Sequence, residues 1–252
     1  MTNKGKVIAI IMLFISLFSA GVLAGPPYTT DDPEPVEYRH WEIYLFGQYV
    51  KNIQSINAIA PGIEVNYGIL PEMQIHFIFP AGFSGSLYPN LSYQYGSTEI
   101  GVKYRFIRET DFMPQAGTFP HFDIAAGKIA AGTFSGETQF FIPLWLQKTW
   151  GPFTSYGGGG YWINPGAGNM DWWFLGWVLQ YAVLDNAAVG IEINYNTPQG
   201  TGMPYDNSAN IGAIVDLSKN NHVMLSLGTS MIGREVYLGY AAYQLTFGPE
   251  AK

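Results

Sequence analysis

Charged and amide side chains recur at every second position in four stretches of this chain. In 99–107, Glu99, Gly101, Lys103 and Arg105 alternate with Ile100, Val102, Tyr104 and Phe106. In 73–79, Gln74 and His76 alternate with Met73, Ile75, Phe77 and Phe79. The pattern returns at 188–195, where Glu192 and Asn194 oppose Val189, Ile191, Ile193 and Tyr195. It returns again at 210–216, where Asn210 and Asp216 oppose Ile211, Ala213 and Val215. On a strand, residues two apart share a face, so the polar residues line one surface. Such a surface has two chemical uses, which are compatible: a pore lining that selects solutes, or an internal network of ion pairs and hydrogen bonds that satisfies its own members.

Three further groups carry chemistry. Segments 141–147 and 172–180 are apolar on both faces. If Gln139, Gln147 and Gln180 point inward, so do Phe141, Trp145, Trp172, Phe174 and Val178. They then form an aromatic wall suited to hydrophobic or aromatic solutes. In the opposite register the same rings face lipid or an interfacial girdle, and periodicity leaves both open. The acidic residues Asp31, Asp32, Glu34 and Glu37 lie in the Pro-rich stretch GPPYTTDDPEPVEYRH, 25–40. This arm could fold into a lumen as a plug and pair with Lys103 and Arg105, bind a hard cation such as Ca²⁺ through oxygens, or hang as a mobile periplasmic tail. Gly157–Gly160 is not a phosphate loop, because no helix and no Lys-Ser/Thr follow. Glycine in a strand makes a bend or a close approach, here room inside.

Enzymatic motifs are poor. The histidines are His40, His76, His121 and His222, with neither HExxH nor GxSxG. His222 and Ser226 lie four apart on one strand face, the pair a lipid hydrolase of the outer membrane would need near a rim. The compact His–Ser–Asn pattern of such enzymes is missing, and His222 falls near the expected periplasmic end. We assign no catalytic residue, no metal ligand and no cofactor, and expect a protein that is not an enzyme. With no Cys, disulfides, thiolate metal sites and a lipoprotein anchor are excluded.

What must position these residues is a strand-built membrane wall. Only 12% of the 252 residues are charged, about half the usual share, while 16% are aromatic. The missing charge means that much of the surface does not face water. The net charge is −7 with no basic patch, so nucleic acid is not an expected partner. Lys4 and Lys6 precede an apolar run from Val7 to Phe18 and then small residues ending at Ala24, the layout of a cleaved signal peptide over 1–24. An uncleaved inner-membrane anchor is the competing reading, and a stretch of about 18 apolar residues is marginal for it.

After the arm, 41–247 repeats one unit, about ten alternating residues and then a turn. Twelve strands are expected near 41–51, 57–67, 73–80, 97–107, 117–126, 137–149, 153–162, 172–181, 187–195, 208–216, 221–231 and 235–247. Short connections (68–72, 108–113, 150–152, 182–186, 217–220) alternate with longer ones (81–96, 127–136, 163–171, 196–207). The fold class is all-β, a transmembrane antiparallel up-and-down barrel, with a C-terminal tail at 248–252. In lipid, only closure of the sheet gives every backbone group a partner. The last strand alternates up to Phe247, which resembles the closing strand that outer-membrane insertion machinery reads, although five residues follow it.

Two strings are distinctive: Gly25-Pro26-Pro27-Tyr28-Thr29-Thr30-Asp31-Asp32-Pro33-Glu34-Pro35-Val36, and Ile142-Pro143-Leu144-Trp145-Leu146-Gln147-Lys148 continuing through Gly157–Gly160 to Tyr161-Trp162-Ile163-Asn164-Pro165-Gly166. They resemble the MetA-pathway of phenol degradation family of outer-membrane transporters, over essentially the whole mature chain. The resemblance implies a barrel and passage of aromatic or other hydrophobic compounds, and it carries over no binding residue.

The function expected is a passive channel in the outer membrane of a Gram-negative bacterium, for small solutes including hydrophobic or aromatic ones. Its partners are membrane lipid and lipopolysaccharide, a small-molecule solute and the insertion machinery. A structural or ligand-binding barrel without transport, acting through loops 81–96 and 196–207, is the first alternative. A lipid-modifying hydrolase is the second.

Overall fold

The structure is a computed structural model that describes residues 26–52, 55–86, 92–125, 137–232 and 235–250. The expected signal peptide lies outside these residues, as do the whole 127–136 loop and the last two residues of the C-terminal tail. The strands are β1 (Trp41–Asn52), β2 (Ser55–Leu70), β3 (Met73–Ser86), β4 in two pieces (Ser92–Tyr95 and Thr98–Ile107) and β5 in two pieces (Gln115–Thr118 and His121–Ile124). They continue as β6 (Gln139–Trp150), β7 (Phe153–Ile163), β8 (Trp172–Leu184), β9 (Ala187–Asn196), β10 (Asp206–Ser218), β11 (Asn221–Ile232) and β12 (Glu235–Phe247).

Each strand pairs antiparallel with its sequence neighbours, and β1 pairs with β12 from Trp41↔Phe247 to Lys51↔Tyr237. That last ladder closes a twelve-strand barrel with no open edge, the only strand architecture in which lipid leaves no backbone group orphaned. Among the described residues no helix is long and apolar enough to cross a membrane.

Alternation decides the two faces. On β6, Gln139, Phe141, Trp145 and Gln147 are buried while Ile142 and Leu144 are about half exposed; on β9, Glu192 and Asn194 are buried while Ile191 and Ile193 are exposed. The buried side of a closed barrel is its inside. The outside carries Leu227 at 70%, Ile211 at 62% and dozens of similar side chains in one continuous apolar surface. A water-soluble protein would not tolerate a patch of that extent. Exposed Trp41, Trp150, Tyr181 and Phe247 ring the end with short turns, and Tyr49, Tyr93, Trp173 and Tyr237 the end with loops, as two interfacial aromatic belts do.

Several strands run past their expected ends. β3 continues to Ser86 and pairs with Ser92–Tyr95, both within the expected 81–96 loop, while β2 reaches Leu70 and β8 reaches Leu184 through expected turns. Gly82, in the expected loop, pairs with Ile59 beside a bulge where the β2–β3 register shifts between Ile59 and Gly62. Pro61 lies in that bulge, where its absent N–H removes no ladder bond. β5 is interrupted at Phe119-Pro120, where the Pro120 carbonyl still accepts from the Val102 N–H at 3.1 Å. The turn after β6 uses Gly151 at φ 57°, the left-handed conformation that glycine adopts without a Cβ clash.

Candidate functional site

The arm, residues 26–40, runs inside the barrel. It enters at the short-turn end, where Tyr38 bridges Gly68 and the Arg39 N–H donates to the Gly68 carbonyl at 2.6 Å. The Val36 N–H donates to Gln74 Oε1 at 2.6 Å. Glu34 lies 3.4 Å from Arg105 and accepts from Gln115 and Gln147 at 3.3 Å each. Lys103 Nζ meets Asp31 at 2.9 Å and Asp32 at 3.7 Å. Glu37 stands at the mouth where the arm enters, its side chain 85% exposed and 3.7 Å from His40.

The chain then crosses the lumen to the far wall. There Glu192 accepts the N–H groups of Thr30 at 2.6 Å and Thr29 at 3.3 Å, and also the Asn210 amide. Ser226 Oγ donates to the Pro27 carbonyl at 2.7 Å. The far wall is shaved to receive the arm. A Cβ on Gly176 would stand 2.0 Å from Thr30 Oγ1, and one on Gly190 2.5 Å from the Tyr28 hydroxyl.

Asp32 is 1% exposed. Burial holds its carboxyl above the ordinary carboxylate range; Lys103 pulls it down, and Asp31 and Glu34 push it up. Glu72, in the turn after β2, shows the opposite balance. Its slight burial is outweighed by hydrogen bonds and charge from Arg105, at 2.7 Å, and Arg108, which hold it below the usual range.

Beside the arm lies a cavity of about 490 Å³. One wall is a cluster of Phe119, Phe141, Trp145, Trp162, Trp172 and Phe174. Phe141 stacks on Trp162 with ring centroids 4.6 Å apart, and Trp162 on Trp172 at 5.2 Å. The glycine run beneath makes this packing possible: a Cβ on Gly160 would fall 2.4 Å from the Phe141 ring, and one on Gly158 2.0 Å from the Leu144 carbonyl. The facing wall is polar. His76 contacts Asn66 Oδ1 at 2.6 Å and Glu99 at 3.0 Å, Glu64 accepts from Asn66 at 2.7 Å, and His121 stands 3.8 Å from Glu99.

Gln74, His76, Glu99, Lys103, Phe141, Trp145, Trp172 and Phe174 therefore border one space, together with Asp31, Glu34 and Glu37 of the arm. Arg105 faces inward nearer the short-turn end, bound to Glu72, Glu34 and Gln115. Glu192 holds the arm and accepts from the Asn210 amide; Asn194 accepts from Ser208 at 2.8 Å and borders a smaller 120 Å³ hollow. Asp216 binds His222 at 2.6 Å, away from the cavity. Ser226 and His222 are thus each engaged with a different partner. Among the described residues no group of three or more His, Asp or Glu is placed to hold a metal ion.

Sequence reasoning missed Glu42, Glu64, Asn66 and His121 of the cavity lining. The signal was available: Glu42 alternates with Trp41 and Ile43, Glu64 and Asn66 with Ile63, Val65 and Tyr67, and His121 with Phe122.

No described protein family matches this chain by sequence, and no curated protein does. Solved structures match it strongly. An outer membrane channel from Pseudomonas putida F1 is similar at a TM-score of 0.69 and 9% identity, over 90% of this chain and 100% of that one. The KdgM porin is similar at 0.57 and 11%, over 81% and 99%. The translocator domain of the autotransporter NalP from Neisseria meningitidis is similar at 0.56 and 11%, over 97% and 95%. At these identities the likeness establishes the fold, a β-barrel of the outer-membrane type, shared by channels, porins and a translocator.

Proposed function

We propose that this protein is a passive channel of the bacterial outer membrane, exported with a cleaved signal peptide, that passes small solutes with hydrophobic or aromatic character. The observation that carries this reading is the 490 Å³ cavity inside a closed barrel, with stacked aromatic rings on one wall and hydrogen-bonding groups on the other. A wall of that kind is what a solute with an apolar body needs for a dry resting place inside a polar lumen. The likeness to outer-membrane channels and porins, and the resemblance to the MetA-pathway of phenol degradation family, point the same way. Partners follow from place: lipid and lipopolysaccharide around the barrel, the insertion machinery during assembly, and the solute.

The arm favours a second reading. Its bonds to Lys103, Arg105 and Glu192 cross the lumen, as a plug would. A permanently plugged barrel would be a structural or ligand-binding protein without transport. Reconstitution into planar bilayers separates the two. A channel gives discrete conductance steps that rise when residues 26–37 are deleted. A barrel that shows a heat-dependent shift on SDS gels but no conductance, with or without the arm, sinks the channel reading.

A further inference from the structure

We infer that the cavity selects organic cations: a small solute with an aromatic or apolar body, one ammonium group and one hydrogen-bond acceptor. For the solute's passage this inference rests on the channel reading; for its binding it does not.

Three features of the lining carry it. The first is unbalanced charge. Asp31 and Glu34 are matched by Lys103 and Arg105. Glu42 and Glu64 are not: among the described residues Glu42 accepts from the Tyr44 hydroxyl alone, at 3.0 Å, and Glu64 has Asn66 at 2.7 Å and His76 at 3.6 Å. Among the described residues neither carboxylate has a Lys or Arg within ion-pair distance. A bound ammonium group would give each carboxylate the partner it lacks and favour its charged form.

The second feature is the opposite wall. β1 and β2, which carry Glu42 and Glu64, stand six strands from β7 and β8, hence across a twelve-strand barrel. Trp162, Trp172 and Phe174 border the same space as the carboxylates, with the Trp162 ring stacked between Phe141 and Trp172. Ring faces carry negative potential and attract ammonium groups, so both walls favour positive charge. The third feature is a pair of unused donors. Among the described residues the indole N–H groups of Trp145 and Trp172 have no hydrogen-bond partner, in side chains only 2% and 5% exposed. A buried donor without a partner is costly, and an acceptor atom on a bound solute would satisfy it.

The test is calorimetric titration of the purified, detergent-solubilised full-length mature barrel with three probes. Tyramine and 4-hydroxyphenylacetate share a phenol body and differ in the sign of the charged group, and phenethylamine is tyramine without the hydroxyl. We expect tyramine to bind at least about tenfold more tightly than the acid, and phenethylamine several-fold more weakly than tyramine. The Glu42→Gln/Glu64→Gln double variant should lose about tenfold in tyramine affinity and leave the acid unchanged. Equal or tighter binding of 4-hydroxyphenylacetate, no binding of either probe, or an unaltered tyramine affinity in the double variant overturns the inference. If the double variant loses its heat-dependent gel shift, the wild-type ratio of tyramine to acid decides alone. Conductance without a tyramine preference sinks this inference and leaves the channel reading standing; tyramine binding without conductance does the reverse.

Discussion

Glu192→Ala should release the arm without opening the barrel wall. The Glu192 carboxylate is 1% exposed and holds the far end of the arm through the Thr30 N–H at 2.6 Å and the Thr29 N–H at 3.3 Å. A hydrogen bond to a charged acceptor contributes about 1.5–3 kcal/mol, and the longer bond belongs at or below the low end of that range. Together they amount to roughly 2–4 kcal/mol of arm docking, or about 30- to 700-fold in the ratio of docked to free arm. Barrel stability should change far less, since the β8–β9 and β9–β10 ladders that flank Glu192 are backbone bonds. The assay is limited proteolysis of the folded protein in detergent, with the arm's cleavage rate read by mass spectrometry, beside single-channel recordings. The variant should lose arm protection and show longer or larger open events while keeping its heat-dependent gel shift. Unchanged protection and unchanged conductance would show that Glu192 does not latch the arm.

Gly176→Ala should act in the same direction, because its Cβ would stand 2.0 Å from Thr30 Oγ1; arm cleavage should accelerate, and an unchanged rate would mean that the arm does not lie against β8. Lys103→Glu with Arg105→Glu should place like charges against Asp31 and Glu34, raising conductance and shifting the reversal potential toward cation selectivity; an unchanged reversal potential would remove both residues from the ion path. Glu72→Gln should lower the urea midpoint at neutral pH and lose its effect in acid. The Glu72 pKa is depressed in the folded state, so its contribution is present above the unfolded value and lost as pH falls through the folded one; an equal effect at pH 3 and pH 7 would contradict this.

Strand identity was legible because a membrane barrel has only two environments, and successive residues alternate between them. Glu99 to Ile107 displays this in the chain itself: Ile100, Val102 and Tyr104 are exposed while Gly101 and Lys103 are buried. The end of β3 was not legible, because Gly82, Ser84 and Gly85 are turn residues in isolation and ladder residues only when β2 lies alongside. The aromatic wall was not legible either. Phe141 and Trp173 are equally apolar, and alternation says nothing where both faces are apolar. Only pairing with β7, whose glycines leave space on the inner side, turns Phe141 inward and Trp173 outward.

The amino-acid sequence by itself determined the architecture: scarce charge, a period of two and twelve repeats leave a closed barrel as the form that lipid permits. Tertiary structure alone decided what the barrel contains. The arm's place depends on contacts between residues up to 199 positions apart, as in Ser226 with Pro27, and no local propensity encodes a contact at that separation. The cavity is likewise a product of closure, because Glu42 and Trp172 border one space only after β1 has paired with β12.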